Sequence, residues 1–476
     1  MRRLLAATVL SVALLGGASS ASAADVGAND DSGKYEADGG AAFYREMAQL
    51  GLEQVVVPVR FRPSEPLVVQ DKALLDRTIP AALDAGLKVV VAAFPYPPRE
   101  LEAGLGTPSL FGSYVATVAE LYPEVKQFTI GNEPNQPAFW RPQFGSGGLN
   151  VSAASFGQYL ATTYDALKAV DPGIDVAGVG LSPRGNDRPK AKNNISTSPV
   201  RFLRALGAWY RGSGRDKPLM DSFGFHPYPN RATDPLERGY AWPNAGFANV
   251  DRVKQALWDA FHGTPQPTTL EGLKLNLDEV GWQVGTAGRP GYTGLENVPV
   301  TNELIQAAIY GELIRLAACD PDIAQVSFFG FRDDGARTGF QAGLRRLDGS
   351  YRPAAEAVAH AIADTTSSCS RGEVRWQPGA KVLGARVDVR ASSPRISVKV
   401  SAGEDARAFV CAGRPGKLRH ALDTRCQRAA IAGLRAVDVS VPLPPVSRRV
   451  EVRVELRAEA NRARRTHFVK RAFLRG

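Results

Sequence analysis

Two glutamates stand where apolar runs should end in ordinary turns. In "KQFTIGNEPNQPAFW", residues 126–140, Asn132 and Glu133 close a strand-like run just ahead of Pro134. Further along, "LNLDEVGW" closes another such run with Glu279. Two carboxylates able to face each other across a bound substrate are the minimum machinery for cleaving a glycosidic bond. One, held protonated, gives its proton to the leaving oxygen, while the other stays ionised and attacks the anomeric carbon. Mutual repulsion at about 5 Å helps to separate their acidities. A lone carboxylate at a strand end is just as readily a helix cap or a surface charge, so the chemistry depends on the elements that hold the pair.

From Asp25 to about Thr365 the chain repeats one cadence, a short β-branched or aromatic run followed by a longer segment of helical period. The runs are "DVGAND", "QVVVPVRF", "KVVVAAFPY", "KQFTIGNEP", "DVAGVGLS", "LMDSFGFHPYP", "LKLNLDEVGW" and "IAQVSFFGF". Helical stretches such as "LLDRTIPAALDAG", "FGQYLATTYDALKAV" and "NELIQAAIYGELIRLAA" lie between them, and "RPAAEAVAHAIAD" follows the last. Eight such pairs predict a parallel (β/α)8 barrel, a TIM barrel, over residues 24–365. A doubly wound open sheet is the alternative, but no glycine-rich nucleotide fingerprint follows the first run. The connections leaving strands four to seven, 134–152, 182–199, 229–247 and 283–301, are long and rich in Pro, Gly, Asn and aromatics. They fall on the face where barrel enzymes keep their sites.

The ends of the chain differ from this middle. Residues 1–23 join Arg2 and Arg3 to an apolar core and then to small residues ending in Ala21-Ser22-Ala23, the pattern of a secretory signal. Export is therefore expected, with no membrane-spanning segment after cleavage. Residues 366–476 alternate apolar and polar positions in six segments, which predicts a small antiparallel β-sandwich. This part carries 24 Lys+Arg against 9 Asp+Glu, a balance of +15; because the chain totals +10 and Arg2 and Arg3 belong to the signal, residues 24–365 are left at −7. Arginines alternating with apolar residues suit the wet face of a sheet, and they could also bind an anionic cell envelope. The four cysteines suit an oxidising compartment and allow three pairings, of which Cys411–Cys426 with Cys319–Cys369 is favoured. Nothing has the spacing of a zinc site.

With "GNEPN", "GFHPYP" and "DEVGW" in strand order, the chain resembles the clan A glycoside hydrolases, retaining (β/α)8 enzymes such as the family 5 cellulases and family 39. The resemblance implies Glu133 as acid/base, Glu279 as nucleophile and Asn132 on the sugar 2-hydroxyl. It implies that His226 and Tyr228 line the site, the tyrosine hydrogen-bonding the nucleophile; at i and i+2 they would share one face of strand six. Arg60 matches an arginine of strand two whose charge keeps the nucleophile ionised, although Arg62 nearby could take that role. No cofactor is implied. Two positions depart from the family pattern. Gly131 stands where tryptophan often precedes Asn-Glu-Pro and would leave room in the site, and "FFGF" offers Phe329 or Phe331 in place of a platform tryptophan.

Trp282, Trp140, Tyr96, Trp242 and Tyr292 could stack on a sugar or anchor loops, and Asp333 and Asp334 suit loop caps better than a third acid. The expected protein is a secreted, monomeric retaining glycosidase with a carbohydrate substrate and no nucleic-acid partner. A transglycosylase on the same site and a non-catalytic carbohydrate- or envelope-binding protein are the alternatives.

Overall fold

The computed structural model describes residues 24–365, 369, 375–379, 381–382, 384–392, 395–415, 424–433, 435–442, 449–462 and 464–473; the signal expected over residues 1–23 lies outside them. The eight runs form eight parallel strands closed into a barrel in sequence order: β1 Asp25–Asn29, β2 Gln54–Phe61, β3 Lys88–Pro95, β4 Gln127–Ile130, β5 Asp175–Leu181, β6 Ser222–Phe225, β7 Lys274–Val280 and β8 Ile323–Phe329. The helices between them are α1 Ala41–Gln49, α2 Lys72–Asp84, a short α3 Pro98–Glu102 not anticipated from the sequence, α4 Pro108–Leu121, α5 Ser152–Val170, α6 Pro199–Ser213, α7 Val250–Phe261 and α8 Glu303–Ala317; α9 Pro353–Thr365 follows β8. Their apolar faces pack on the barrel wall, as Phe111, Phe156, Leu160, Phe202 and Tyr310 do, each almost without exposure. No helix among the described residues is long and apolar enough to cross a membrane.

The barrel interior is polar at its base. Gln54 donates to Ser327 Oγ at 3.1 Å, Gln127 to Asp175 Oδ2 at 2.9 Å and to Gln325 Oε1 at 3.2 Å, and Ser222 Oγ, which accepts from Asn276, donates to Asp175 at 2.9 Å. These groups bond to one another, which offsets the cost of keeping them out of water, although the Gln325 Nε2 is left without a partner. Above them a thin apolar layer of Val56, Val90 and Ala92 leads up to the mouth.

Two register shifts decide what the mouth presents. Between Leu277 and Val280, β7 has one residue more than β8, so Asp278 and Glu279 lie opposite Ser327 alone. Between Gly178 and Leu181, β5 likewise outruns β6. Such bulges re-aim side chains and free backbone groups. They break the period-2 rule just where chemistry is expected.

Beyond α9 lie two antiparallel sheets, in the orders β13-β10-β9 and β12-β11-β14-β15. The strands are β9 Arg386–Ser392, β10 Arg395–Ser401, β11 Ala406–Gly413, β12 Thr424–Ile431, β13 Val437–Pro442, β14 Arg449–Ala458 and β15 Arg465–Phe473. Ile396, Val398, Val410, Val452 and Leu456 fill the core between them. Among the described residues seven strands are present where six were expected. The missed one, β12, is an edge strand whose residues 425–428 are all exposed, so it has no apolar alternation to read. Disulfides Cys319–Cys369 and Cys411–Cys426 form as favoured, the second joining directly paired residues of β11 and β12.

The sandwich is seated on α6 and α7. Asp405 accepts from Arg201 at 3.3 Å and from Arg204 at 3.2 Å. Buried Arg464 pairs with Glu404 and, at 3.1 Å, with Asp259 of α7. Gly433 lies flat against Trp242, where an added Cβ would come within 2.0 Å of the indole.

Candidate active site

Glu133 is positioned by backbone. After β4 ends, Gly131 takes φ 105° and Glu133 itself φ 44°, a left-handed conformation that non-glycine residues seldom adopt. The Glu133 N–H donates to Gly180 O at 2.8 Å, a carbonyl turned outward by the β5 bulge, where Val179 also has a positive φ of 90°. The space beside Gly131 is not open to substrate as the sequence suggested. A Cβ there would lie 2.7 Å from the Phe156 ring and 2.9 Å from Val179 O, so the glycine is required by packing and by its dihedral.

Glu279 is positioned by side chains. Its Oε1 accepts from Asn29 Nδ2 at 3.2 Å, and its Oε2 accepts from Tyr228 OH at 3.1 Å. The structure adds Asn29, at the end of β1, to the site; the sequence signal was a polar residue closing "DVGAND". Burial pushes the Glu279 carboxyl up to about 7; His226 opposes the rise, while Glu133 and Asp278 add to it.

His226 joins the two glutamates. Its Nδ1 lies 3.3 Å from Glu133 Oε1 and 3.4 Å from Glu279 Oε2, and its Nε2 lies 3.4 Å from Asp278 Oδ1. Burial would lower its pKa, but the surrounding carboxylates of Glu279, Asp278 and Glu133 lift it to about 10, so it is an imidazolium at neutral pH. Gly224 makes room for Asp278, whose Oδ2 would lie 2.6 Å from a Cβ at that position. β6 ends at Phe225, so His226 and Tyr228 stand just past the strand, where Tyr228 N–H donates to His226 O, rather than on a strand face as expected. Both nevertheless reach Glu279.

Other expected residues divide. Asn132 lines the cleft. Arg60 also lines it, but lies beside Tyr96, 5.6 Å from the ring centroid, and forms no ion pair with Glu279. The basic side chain next to Glu279 is His226 instead. Arg62 sits outside, facing Glu65 and Glu100. Trp282 and Trp140 are corrections, since both are core residues. Trp282 follows the β7 bulge, which turns it inward, where it is 1% exposed with Nε1 donating to Asp234 O. Trp140 packs edge-on to Phe156 and Tyr159. Tyr292 donates to Asp333, itself gripped by Arg352, so this pair fastens loops. Asp334 caps Phe340 N–H and lines the cleft. Phe329 lines the cleft, whereas Phe331 packs on Phe43 in the core.

The cleft has two lobes that meet at Asn132, Glu279 and Phe329. One, of 330 Å³, runs over the barrel axis past His226, Asp278, Asp30 and Arg60. The other, of 380 Å³, is the one that Glu133 lines, under the loops that follow β5, β6 and β7.

No family model matches the sequence, and no curated protein matches it. Solved structures that are similar in fold include glycoside hydrolases. One is a family 39 glycoside hydrolase from the gut symbiont Bacteroides cellulosilyticus WH2, 13% identical, covering 89% of this chain and 81% of its own, with a TM-score of 0.51. A glucosidase from Croceicoccus marinus is 13% identical over 89% of this chain and 94% of its own, at 0.46. A GH5_18 protein from Streptomyces cattleya, in complex with GlcNAc, is 18% identical over 76% and 84%, at 0.47. At such identities the likeness speaks of architecture alone: this chain is built on the same kind of eight-stranded barrel as a family 39 glycoside hydrolase.

Proposed function

We propose that the protein is an exported retaining glycosidase acting on an oligosaccharide or polysaccharide. The observation that carries this reading is the approach of Glu133 and Glu279 to one nitrogen of His226. Two oxygens within 3.4 Å of the same atom lie no more than twice that distance apart. That limit accommodates the about 5–5.5 Å of a retaining pair.

Glu279 attacks the anomeric carbon to form a glycosyl ester while Glu133 protonates the departing oxygen. Glu133 then takes a proton from water, which attacks the same carbon and returns Glu279 as a carboxylate. Tyr228 and Asn29 hold the two oxygens of Glu279, and the His226 imidazolium offsets the negative charge of the pair. Asn132 binds the sugar 2-hydroxyl. Export is supported by the N-terminal signal pattern and by two disulfides.

A panel of activated 2-deoxy-2-fluoro glycosides, read by intact mass, tests the mechanism. A stable adduct that maps to Glu279 is expected with one sugar of the panel. An unaltered rate on any cleaved glycoside after Glu279→Ala would overturn the assignment.

A further inference from the structure

The two lobes of the cleft differ in charge: the one that holds Glu133 sets Arg184 and Arg231 against Glu133 and Glu279, whereas the other is net acidic. Arg184 and Arg231 line the lobe that holds Glu133, and among the described residues neither has a carboxylate within ion-pairing distance. Several arginines elsewhere are paired, Arg332 with Glu36 at 2.7 Å, Arg346 with Glu303 at 2.6 Å and Arg352 with Asp333 at 2.6 Å, while Arg60 in the other lobe lies against the Tyr96 ring. Arg184 is also preset. Its Nη1 donates to Asn230 O at 3.4 Å, and its backbone carbonyl accepts from Gln136 Nε2, which fixes the main chain from which the side chain extends over the lobe. The 182–199 loop that carries it adds Arg188, Lys190 and Lys192, while its one acid, Asp187, accepts from Ser198 N–H. The opposite lobe is lined by Asp30, Asp31, Asp278 and Asp334 against Arg60 and Arg332.

We infer that the protein takes a glycan bearing an anionic group on the leaving-group side of the scissile bond. This rests on the glycosidase reading, because Glu133, the proton donor, marks its lobe as the one that receives the leaving group. An exposed guanidinium without a carboxylate partner at the edge of a cleft can donate to a planar or tetrahedral oxyanion. The acidic lobe repels the same anion, so the charge difference also sets the direction in which the chain of sugars lies. The oxyanion can be the carboxylate of a uronic acid or a sulfate ester, since both match the guanidinium fork.

The test uses the full chain and two readouts. First, kcat/KM is compared for aryl glycosides that are identical except for a carboxylate or a sulfonate on the aryl group, using whichever sugar is cleaved. A preference for the charged leaving group on the order of tenfold is expected. It should fall steeply with salt, vanish in R184Q/R231Q and survive largely in R184K/R231K. Second, calorimetry on the E133Q/E279Q chain compares an oligogalacturonate with its methyl ester, and a sulfated galactan oligomer with its desulfated form. The arm showing tighter, arginine-dependent binding identifies the anion. Equal values for charged and neutral partners in both readouts, or a preference unmoved by R184Q/R231Q, would overturn the inference. Failure to cleave any glycoside, with charge-selective binding intact, would instead overturn the glycosidase reading alone.

Discussion

Glu133 and Glu279 bring the same functional group to the same imidazole nitrogen, and the chain holds them there by opposite means. The first stands on an irregular backbone, left-handed at Gly131, Glu133 and Val179 and pinned by Gly180 O. The second stands on a strand whose register on β8 shifts twice, and is gripped by the side chains of Asn29, Tyr228 and His226. A group fixed by main chain cannot be loosened without straining the fold, whereas a group fixed by side chains can be retuned one contact at a time. Damage at β4 should therefore register first as lost stability, and damage around β7 as lost rate.

The largest expected effects come from the carboxylates themselves. Glu279→Ala should lower kcat by about 10,000-fold or more on every glycoside, because no ester can form. Glu133→Ala should cost about 100- to 10,000-fold on substrates with poor leaving groups and far less on dinitrophenyl glycosides, which depart without a proton. Similar losses on both substrate types would erase the division of labour.

Gly131→Ala comes next. It combines a strained dihedral with a contact on Phe156, and a destabilisation of about 2–4 kcal/mol is expected in urea unfolding. Asn29→Ala, by contrast, should leave the unfolding midpoint nearly in place while slowing turnover roughly tenfold. An Asn29 variant that unfolds as readily as the Gly131 variant would break the contrast.

Smaller effects should appear in pH dependence. Ester formation from a dinitrophenyl 2-fluoro glycoside needs an ionised Glu279, so its rate should rise as pH passes about 7. Tyr228→Phe removes a hydrogen bond to the ionised form, so the midpoint should move upward. Stability should run the other way. Glu279 binds its proton more tightly in the folded chain than at the ordinary value of 4.5, so the stabilisation is full below that value and is lost as pH rises through about 7. Glu279→Gln should flatten the stability curve across this window, and an unchanged curve would show that the carboxyl is not buried as described.

The strands and the glutamate pair were legible because buried parallel strands write themselves as continuous β-branched runs, and a carboxylate is conspicuous at the end of one. What the sequence hid depends on local backbone. Trp282 looked like a cleft residue until the β7 bulge reversed its direction. Asn29 ends its strand just as Asn132 follows β4, but a single polar residue in a short run carries no partner's name. Arg60 was placed correctly in the mouth, yet the distance from a guanidinium to a carboxylate is a property of three dimensions; the cation that meets Glu279 comes from the turn after β6.

The seat of the sandwich on Trp242 reaches further than its position suggests. Trp242 belongs to the same loop as Tyr240, whose hydroxyl donates to Tyr228 O, and Tyr228 in turn grips Glu279. Gly433 presses on that indole from the sandwich side, and Arg201 of α6, which Asp405 of the sandwich holds, lies over it. Thermal inactivation is then expected to precede melting of the barrel. Warming that lifts the sandwich would free the loop and let Tyr228 swing away from Glu279, so the half-life of the proposed activity should depend on how firmly the sandwich is seated.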